Sequence, residues 1–557
     1  MAVDLKQIKA IYDRGTSERR NWDTLWQEIA DYMVPWRNRI NTIVTPGTKL
    51  TDRIFDSTAP QALVLASSAI QGSVTPSTLR WFSFTTTEPV LLDLPGVAPY
   101  LDDLSNRVFS AITNSNFDSE AQEIYSDLLA FGTGAMIVEQ DEDKPGLRFP
   151  GVVFHTQQPG TFIIHEGSNG RVSTVIREIA MTATAVTQRW GIDTVSDSLK
   201  KLLEAGHGDA MVSLLHAIYP REDWLPDVQA PARMRYADVW MEAPSTATTA
   251  VLSTVNNAPG AQLHLLSESG HPDMPIPCPR WRKMSGETYG RAPGMTVLPD
   301  VRTLNQAVEL RLKAWVLAIA PPIITQDRGV IGSVRLEPFG RTYVRPGATV
   351  QTLDLPSRFD VANFQEEQLR QSIKEGFFVD LLNFQQKPGT PISATEASIR
   401  FQTMQRILGP VVSRLQAEFL VPVVSRVFRI MLEAGALPEP PMDIQGATLE
   451  LVFEGPLARV QRSGDVESIN QFFALLFPLM EVSRRMVKRI DFDEVIETLS
   501  DATSLPARIL KPREVADAEE AQEAQMMAAQ QQQANLLQAA EVLQGAPGAS
   551  NGTSPGI

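Results

Sequence analysis

A single cysteine, Cys278, in 557 residues excludes an internal disulfide framework and any cysteine-based zinc cluster, and suits a reducing compartment. Long apolar runs are also missing. No window approaches the roughly 18 uncharged apolar residues of a membrane span, and the first residues, MAVDLKQIKAIYDRG, are charged from the fourth position with no apolar signal core. These features predict a soluble intracellular product without a membrane segment. Basic charge is short as well: 50 Lys and Arg face 65 Asp and Glu, a formal net charge of −15. Gripping nucleic acid through phosphate neutralisation needs the opposite balance, although loose contact with DNA stays open. The sequence has no GxxxxGK[ST] phosphate loop, HExxH, GxSxG or EF-hand loop. Asp491-Phe492-Asp493-Glu494 is read as an acidic helix start favoured by the macrodipole rather than a metal cluster. His155 and His165 read as flanking one hairpin, with no third ligand at matching spacing, so solvated hairpin histidines are expected. No catalytic residue, metal or cofactor is expected.

What the chain does have is length enough for three or four domains or one elaborate subunit, and a long helical stretch to organise them. Ser393 and Glu396 have capping-box spacing, and Phe401, Met404, Leu408, Val411, Leu415, Phe419, Val423, Val427 and Met431 then recur at helical intervals until Gly435 and Pro438. The contour is about 60 Å at 1.5 Å per residue, more than an ordinary compact domain needs. Pro410 and Pro422 each remove a ladder bond and predict two bends. Arg414, Glu418, Arg426 and Arg429 interrupt the apolar run.

Upstream, Thr16 to Val34 reads as an amphipathic helix with Trp22 and Trp26 as core anchors, followed by a helix from Asp56 or Ser57 to Gly72 and a strand from Trp81 to Thr86. Helices near 97–114 and 118–131 lead into Gly132 and Gly134, where the period changes. From Ala135 to about Leu266 short strands dominate, including AVLSTV, with a helical insert between Thr182 and Ala205, which predicts an antiparallel meander and an α+β class. Pro275 to Pro299 reads as a connecting loop with a basic face. Two helices, Asp300 to Ala320 and Asp360 to Asn383, bracket short strands punctuated by glycine, where residues 321–358 carry five Arg against three acids. That order predicts a hairpin-like arm with a β tip. Helices at about 464–488 and 491–500 form a compact terminal unit. After Arg513 the composition collapses to Ala, Gln and Glu, which predicts a frayed helix and then disorder.

Four stretches carry a family resemblance: IFDSTAPQALVLASSAIQGSVTPSTLRWFSF; RWRKMSGETYGRAPGMTVLPDVRTLNQAVELRLKA with APPII; SATEASIRFQTMQRILGPVVSRLQAEFLVPVVSRV with GALPEPP; and GPLARVQR. Together and in this order they resemble the head-to-tail connector, or portal, proteins of short-tailed tailed bacteriophages, over residues 1 to about 510. Ser393 stands where relatives often have Thr, a change that keeps the cap.

The resemblance implies a portal-type α+β subunit: a wing over 1–299, a first stem helix over 300–320, a small β clip over 321–358 and a second stem helix over 359–384. It further implies a tunnel loop over 385–392, a long kinked wing helix over 393–440, a crossover and helical crown over 441–512, and a disordered or frayed tail over 513–557. By the same resemblance twelve copies ring the unique capsid vertex of the virion, after assembly in the host cytoplasm. Double-stranded DNA enters and leaves through the channel, and the partners are terminase, tail or adaptor proteins, and capsid and scaffold proteins, with no membrane. A separate terminase supplies the ATPase, in keeping with the missing phosphate loop. Gln385, Gln386 and Lys387, on the tunnel loop, are the residues expected to approach DNA. The alternatives are a non-channel virion protein built as a helical bundle and, behind it, a DNA-packaging enzyme.

Overall fold

The computed structural model describes residues 4–379 apart from 39, 42–46, 93, 95, 142–148, 226–229, 244–262, 320–322, 326–329, 332–342, 348–349 and 353–358; it then describes 407–453, with 473–474, 495–496, 522 and 525–527 beyond. The chain divides into two units, the larger comprising 1–82, 106–438 and 453–457 and the smaller 83–105, 439–452 and 458–557.

The larger unit opens with α1 (Leu5–Met33), longer than the helix read from Thr16. The carboxylate of Asp4 caps it by accepting from Lys6 N and Gln7 N at 3.0 and 3.2 Å. Gly15 sits in its middle because a Cβ there would press to 2.6 Å from Ile163 Cδ1. Trp26 is fully buried and donates to Phe131 O at 3.0 Å, whereas Trp22 is half-buried under the Arg291 guanidinium. α2 (Thr58–Val74) and α4 (Phe117–Phe131) lie close to their expected bounds, as does α3 (Val97–Thr113), whose residues to 105 belong to the smaller unit and from 106 to the larger.

β2 (Met136–Gln140) pairs antiparallel with β3 (Val152–Thr156). A five-stranded antiparallel meander follows, in the order β4 (Phe162–Glu166), β5 (Val172–Thr182), β6 (Met211–Pro220), β7 (Tyr236–Glu242) and β8 (His264–His271). Strand alternation sends Leu215 and Met241 to one face, with Ile8 and Tyr12 of α1, and Leu214 and Trp240 to the other. That second face is covered by the predicted helical insert, α5 (Ala183–Trp190) and α6 (Asp197–Glu204). The fifth strand is β8; the segment AVLSTV lies outside the described residues. His155 and His165 do not flank one hairpin. His155 pairs with Ile137 in the β2–β3 sheet and His165 with Thr174 in the meander, and His165 lies against α1 beside Gly15.

The segment read as a loop with a basic face is instead a buried lateral pairing. Pro275, Pro277 and Pro279 accept through their carbonyls from Val138, Met136 and Gly134 N, each at 3.1 Å, while Ile276 and Cys278 are buried. Proline can accept but not donate, so the period of two gives a one-sided ladder along β2. Burial pushes the Cys278 thiol far up, which leaves it inert. β1 (Phe82–Thr86) pairs with β13 (Leu449–Phe453), all but Phe82 and Phe453 of these strands belonging to the smaller unit, and Thr87 N donates to Thr448 O.

Candidate functional site

The arm is built from α7 (Pro293–Ile319) and α8 (Phe359–Gly376), which pack on each other and bracket two short antiparallel ladders. β9 (Ile323–Thr325) pairs with β12 (Val350–Thr352), and inside them β10 (Val330–Ile331) pairs with β11 (Tyr343–Val344). This nesting is that of a hairpin, as the order helix, β unit, helix requires. α7 starts at Pro293 rather than at Asp300, and Pro299 is accommodated inside it. α8 stops at Gly376, where Phe378 takes a left-handed conformation at φ 59° and Phe377 is fully buried; Val379 is helical again, and the expected end at Asn383 lies outside the described residues. Gly376 packs closely there, since a Cβ would stand 3.0 Å from Val297 Cγ2 and would need that methyl to give way.

Charges fix the two arm helices at their base. Arg311 pairs with Glu366 at 3.0 Å, and Arg370 reaches Asp56 at 3.0 Å and Glu366 at 3.3 Å. Burial alone would raise the Asp56 carboxyl, but hydrogen bonds from Thr58 and the Arg370 guanidinium hold it below the usual carboxylate range. Asn305 Oδ1 accepts from Phe55 N at 2.7 Å and Asp56 N at 3.1 Å, tying α7 to the start of α2. Several apolar positions on the two arm helices face outward: Leu310 is 56%, Trp315 46%, Val316 65% and Phe364 65% exposed. Leu304 and Val308, in the same sequence series as Trp315, are buried.

The long helix, α9 (Ile407–Glu433), meets a length and hydropathy test for membrane spans, yet its charged residues are used inside the larger unit. Phe419 stacks on Phe117 and meets Tyr125 edge to face, Arg426 donates to Val138 O, and Arg429 pairs with Asp273 at 2.9 Å. Its ladder changes at Gln416–Leu420, which form a π turn closed by Val421 N donating to Gln416 O. Pro422 follows at once, and the wide turn relieves the missing donor and the clash with the carbonyl four residues back. Residues 407–415 are α-helical through Pro410.

The π turn presents Glu418 to Arg280, a residue with no exposed side chain. Arg280 Nε and Nη2 donate to the two Glu418 oxygens at 3.1 and 2.7 Å, and its Nη1 reaches Glu166, which also holds Lys283 at 2.7 Å. Burial works against the Arg280 charge, but Glu418 and Glu166 outweigh it and raise its affinity for the proton. Sequence reading marked Glu418 only as a charge interrupting an apolar run and did not single out Arg280. The signals were a lone carboxylate in an apolar helical run and an arginine framed by Pro279 and Trp281.

Gln385, Gln386 and Lys387, with the whole loop 385–392, lie outside the described residues, as do nearly all of 464–512 and the first part of the long helix. Among the described residues no group of three or more His, Cys, Asp or Glu is placed to hold a metal ion.

The family described as bacteriophage head to tail connecting protein matches residues 5–510. The chain belongs to that family. Its connector relatives include a probable portal protein of Bordetella phage BPP-1, 28% identical over 547 residues and spanning 97% of this chain and 94% of that one. The portal protein of Salmonella phage epsilon15 is 28% identical over 541 residues, 94% of this chain and 92% of that one. Among solved structures, this connector chain is loosely similar to chains from the neck of gene transfer agent particles. A neck computed with C6 symmetry gives a TM-score of 0.34 at 13% identity, covering 76% of this chain and 86% of that one, and one computed with C12 symmetry gives 0.32 at 13%, covering 75% and 86%.

Proposed function

We propose that the chain is a portal subunit of a phage virion, forming a ring at the unique capsid vertex through which double-stranded DNA is packaged and ejected, and on which terminase and tail proteins dock. The match of the connector family across residues 5–510 carries this reading. The arm supports it: α7 and α8 are anchored at the base by Arg370 and Asn305 and leave Leu310, Trp315, Val316 and Phe364 uncovered, as expected of helices that neighbouring copies cover in a ring. The acidic balance of the chain fits a wall that lets any sequence slide, because each neutralised phosphate would add salt-dependent binding.

In the finer assignment α7 and α8 are the stem, the nested ladders between them the clip, α9 the long wing helix and the segment 464–512 the crown, and twelve copies close the ring. The protein then acts as a structural channel and not as an enzyme. Gln385, Gln386 and Lys387 face the duplex, and their twelvefold repetition gives a collar that is collectively positive yet weak at each contact, since solvent and salt screen exposed charge.

Light scattering after size exclusion, with class-averaged electron micrographs, tests the ring. Closed rings are expected; a protein that stays monomeric or dimeric at every workable concentration overturns the portal reading. For the loop, Lys387→Ala rings of normal size are expected to package or retain DNA differently from wild type across a salt series. Unchanged packaging and retention at every salt concentration removes the DNA contact while leaving the portal reading in place.

A further inference from the structure

The meander carries a polar chain that the connector role does not use. Arg177 Nε donates to His216 Nδ1 at 2.8 Å, His216 Nε2 meets Asp238 Oδ1 at 2.8 Å, His271 Nε2 meets Asp238 Oδ2 at 3.0 Å, and Arg426 Nη2 meets His271 Nδ1 at 3.2 Å. A guanidinium only donates, so both Nδ1 atoms are acceptors and both Nε2 atoms carry the proton given to Asp238. The two imidazoles are therefore neutral, and both Asp238 oxygens are occupied. Against the cost of its burial, these two hydrogen bonds hold the Asp238 carboxyl well below its usual range.

A cavity of about 310 Å³ opens beside this chain, with Arg189, Trp190, His216, Trp240 and Arg426 in its wall. The Arg189 guanidinium lies 5.1 Å over Trp190 and 4.9 Å over Trp240, and among the described residues it has no carboxylate partner. His216 also stacks on Trp240, with ring centroids 4.0 Å apart. Arg426, buried at 7% exposure, spends Nε on Val138 O and Nη2 on His271, which leaves its Nη1 group without a hydrogen bond among the described residues. Two guanidiniums, Arg189 and Arg426, thus line the cavity with two carboxylates, Asp238, whose oxygens are both taken, and Glu139, while Glu433 and Asp273 also act on the Arg426 charge. The volume is at the small end of ligand sites, with room for a tetrahedral or planar anion and its waters.

We propose that this cavity is an oxyanion site, taking a phosphate or carboxylate group between the Arg189 and Arg426 guanidiniums over the Trp240–His216 stack. Arginine suits that chemistry because its planar fork matches two oxygens at once, and the indoles hold Arg189 in place before the anion arrives. The anion has two possible sources, a free ion or an acidic side chain of a second copy.

The test is titration of the full chain with inorganic phosphate, followed by calorimetry and by the fluorescence of the flanking tryptophans. Saturable binding is expected, weakened roughly tenfold or more in Arg189→Gln, with Arg189→Lys between the two, because Lys keeps the charge and loses the fork. Arg189 is exposed and outside the core, so the melting temperature of the unliganded variants should match wild type. Light scattering in phosphate separates the sources. Reduced self-association identifies a competing side chain of another copy, and unchanged self-association with retained binding identifies a free anion. No saturable binding, or equal affinity in wild type and Arg189→Gln, overturns the proposal.

Discussion

Glu418 and Arg280 form a bidentate pair, Nε at 3.1 Å and Nη2 at 2.7 Å, in which the carboxylate is delivered by a π turn and the guanidinium is wholly buried. The pair joins the long helix to the segment that leads into the arm. Glu166 completes it from the meander, so three remote parts of the larger unit meet at one cation. Removing the carboxylate would leave a buried charge short of partners, the costly way to break such a site.

Glu418→Ala is therefore expected to cost about 3–5 kcal/mol of stability, read from denaturant unfolding. Replacing both partners with apolar residues of similar volume, Arg280→Met with Glu418→Leu, should recover a large part of that loss, because no buried guanidinium is then left short of partners and Glu166 keeps Lys283 at 2.7 Å. A double variant as unstable as Glu418→Ala would show that the geometry of the π turn, and not the charge, is what the pair maintains.

Gly132 and Gly290 touch backbone to backbone: a Cβ on Gly290 would lie well inside contact distance of Gly132 O, and Gly290 N donates to Thr133 Oγ1 at 2.8 Å. Gly290→Ala should destabilise by about 1–3 kcal/mol through overpacking against a carbonyl that cannot rotate away. A thermal melt of the variant matching wild type would contradict this close packing.

Asp127 is buried near the end of α4 with Arg37 Nη2 at 3.3 Å, and burial, only partly offset by that arginine, pushes its carboxyl up to about 7. The folded state then holds a proton that the unfolded state, titrating near 3.8, has released. Between about pH 4 and pH 7 this group should make stability fall as pH rises, with a slope no steeper than roughly 1.4 kcal/mol per pH unit. Asp127→Asn should remove that component, so that the stability difference between variant and wild type changes across this window; Arg37 keeps Glu123 at 2.6 Å. A constant difference from pH 4 to pH 7 would refute the shift.

Arg370→Ala should loosen the base of α8 by about 1 kcal/mol, a modest figure because the side chain is 26% exposed and water screens its pairs with Asp56 and Glu366. Faster amide exchange in α8, with α4 unaffected, is the expected signature. Uniform protection in both helices would mean that Asn305 and the apolar contacts hold the arm without it.

The sequence by itself determined most elements and their order. Apolar periodicity marked α2, α4, α9 and the meander, and glycine and proline marked the boundaries, because these signals arise from local backbone geometry. The α+β class followed from that pattern, and the connector resemblance from stretches in register, which the family match over residues 5–510 bears out. Pro422 foretold a disturbed ladder in α9, but only the fold decided that the disturbance is a π turn aimed at Arg280.

What tertiary structure alone decided are the places where a local rule gives way to a distant neighbour. The amphipathic pattern reads from Thr16, yet α1 runs on through Gly15, where Ile163 occupies the space of the missing side chain. Pro275, Pro277 and Pro279 read as a loop, yet their carbonyls lie along β2. Arg280 gives no periodic signal and Arg426 only interrupts an apolar run, until the fold brings Glu418 to the one across 138 positions and His271 to the other across 155. A pairing between residues more than a hundred positions apart leaves no periodic trace in either segment, so it is settled only when packing excludes water and forces each buried charge to find its partner.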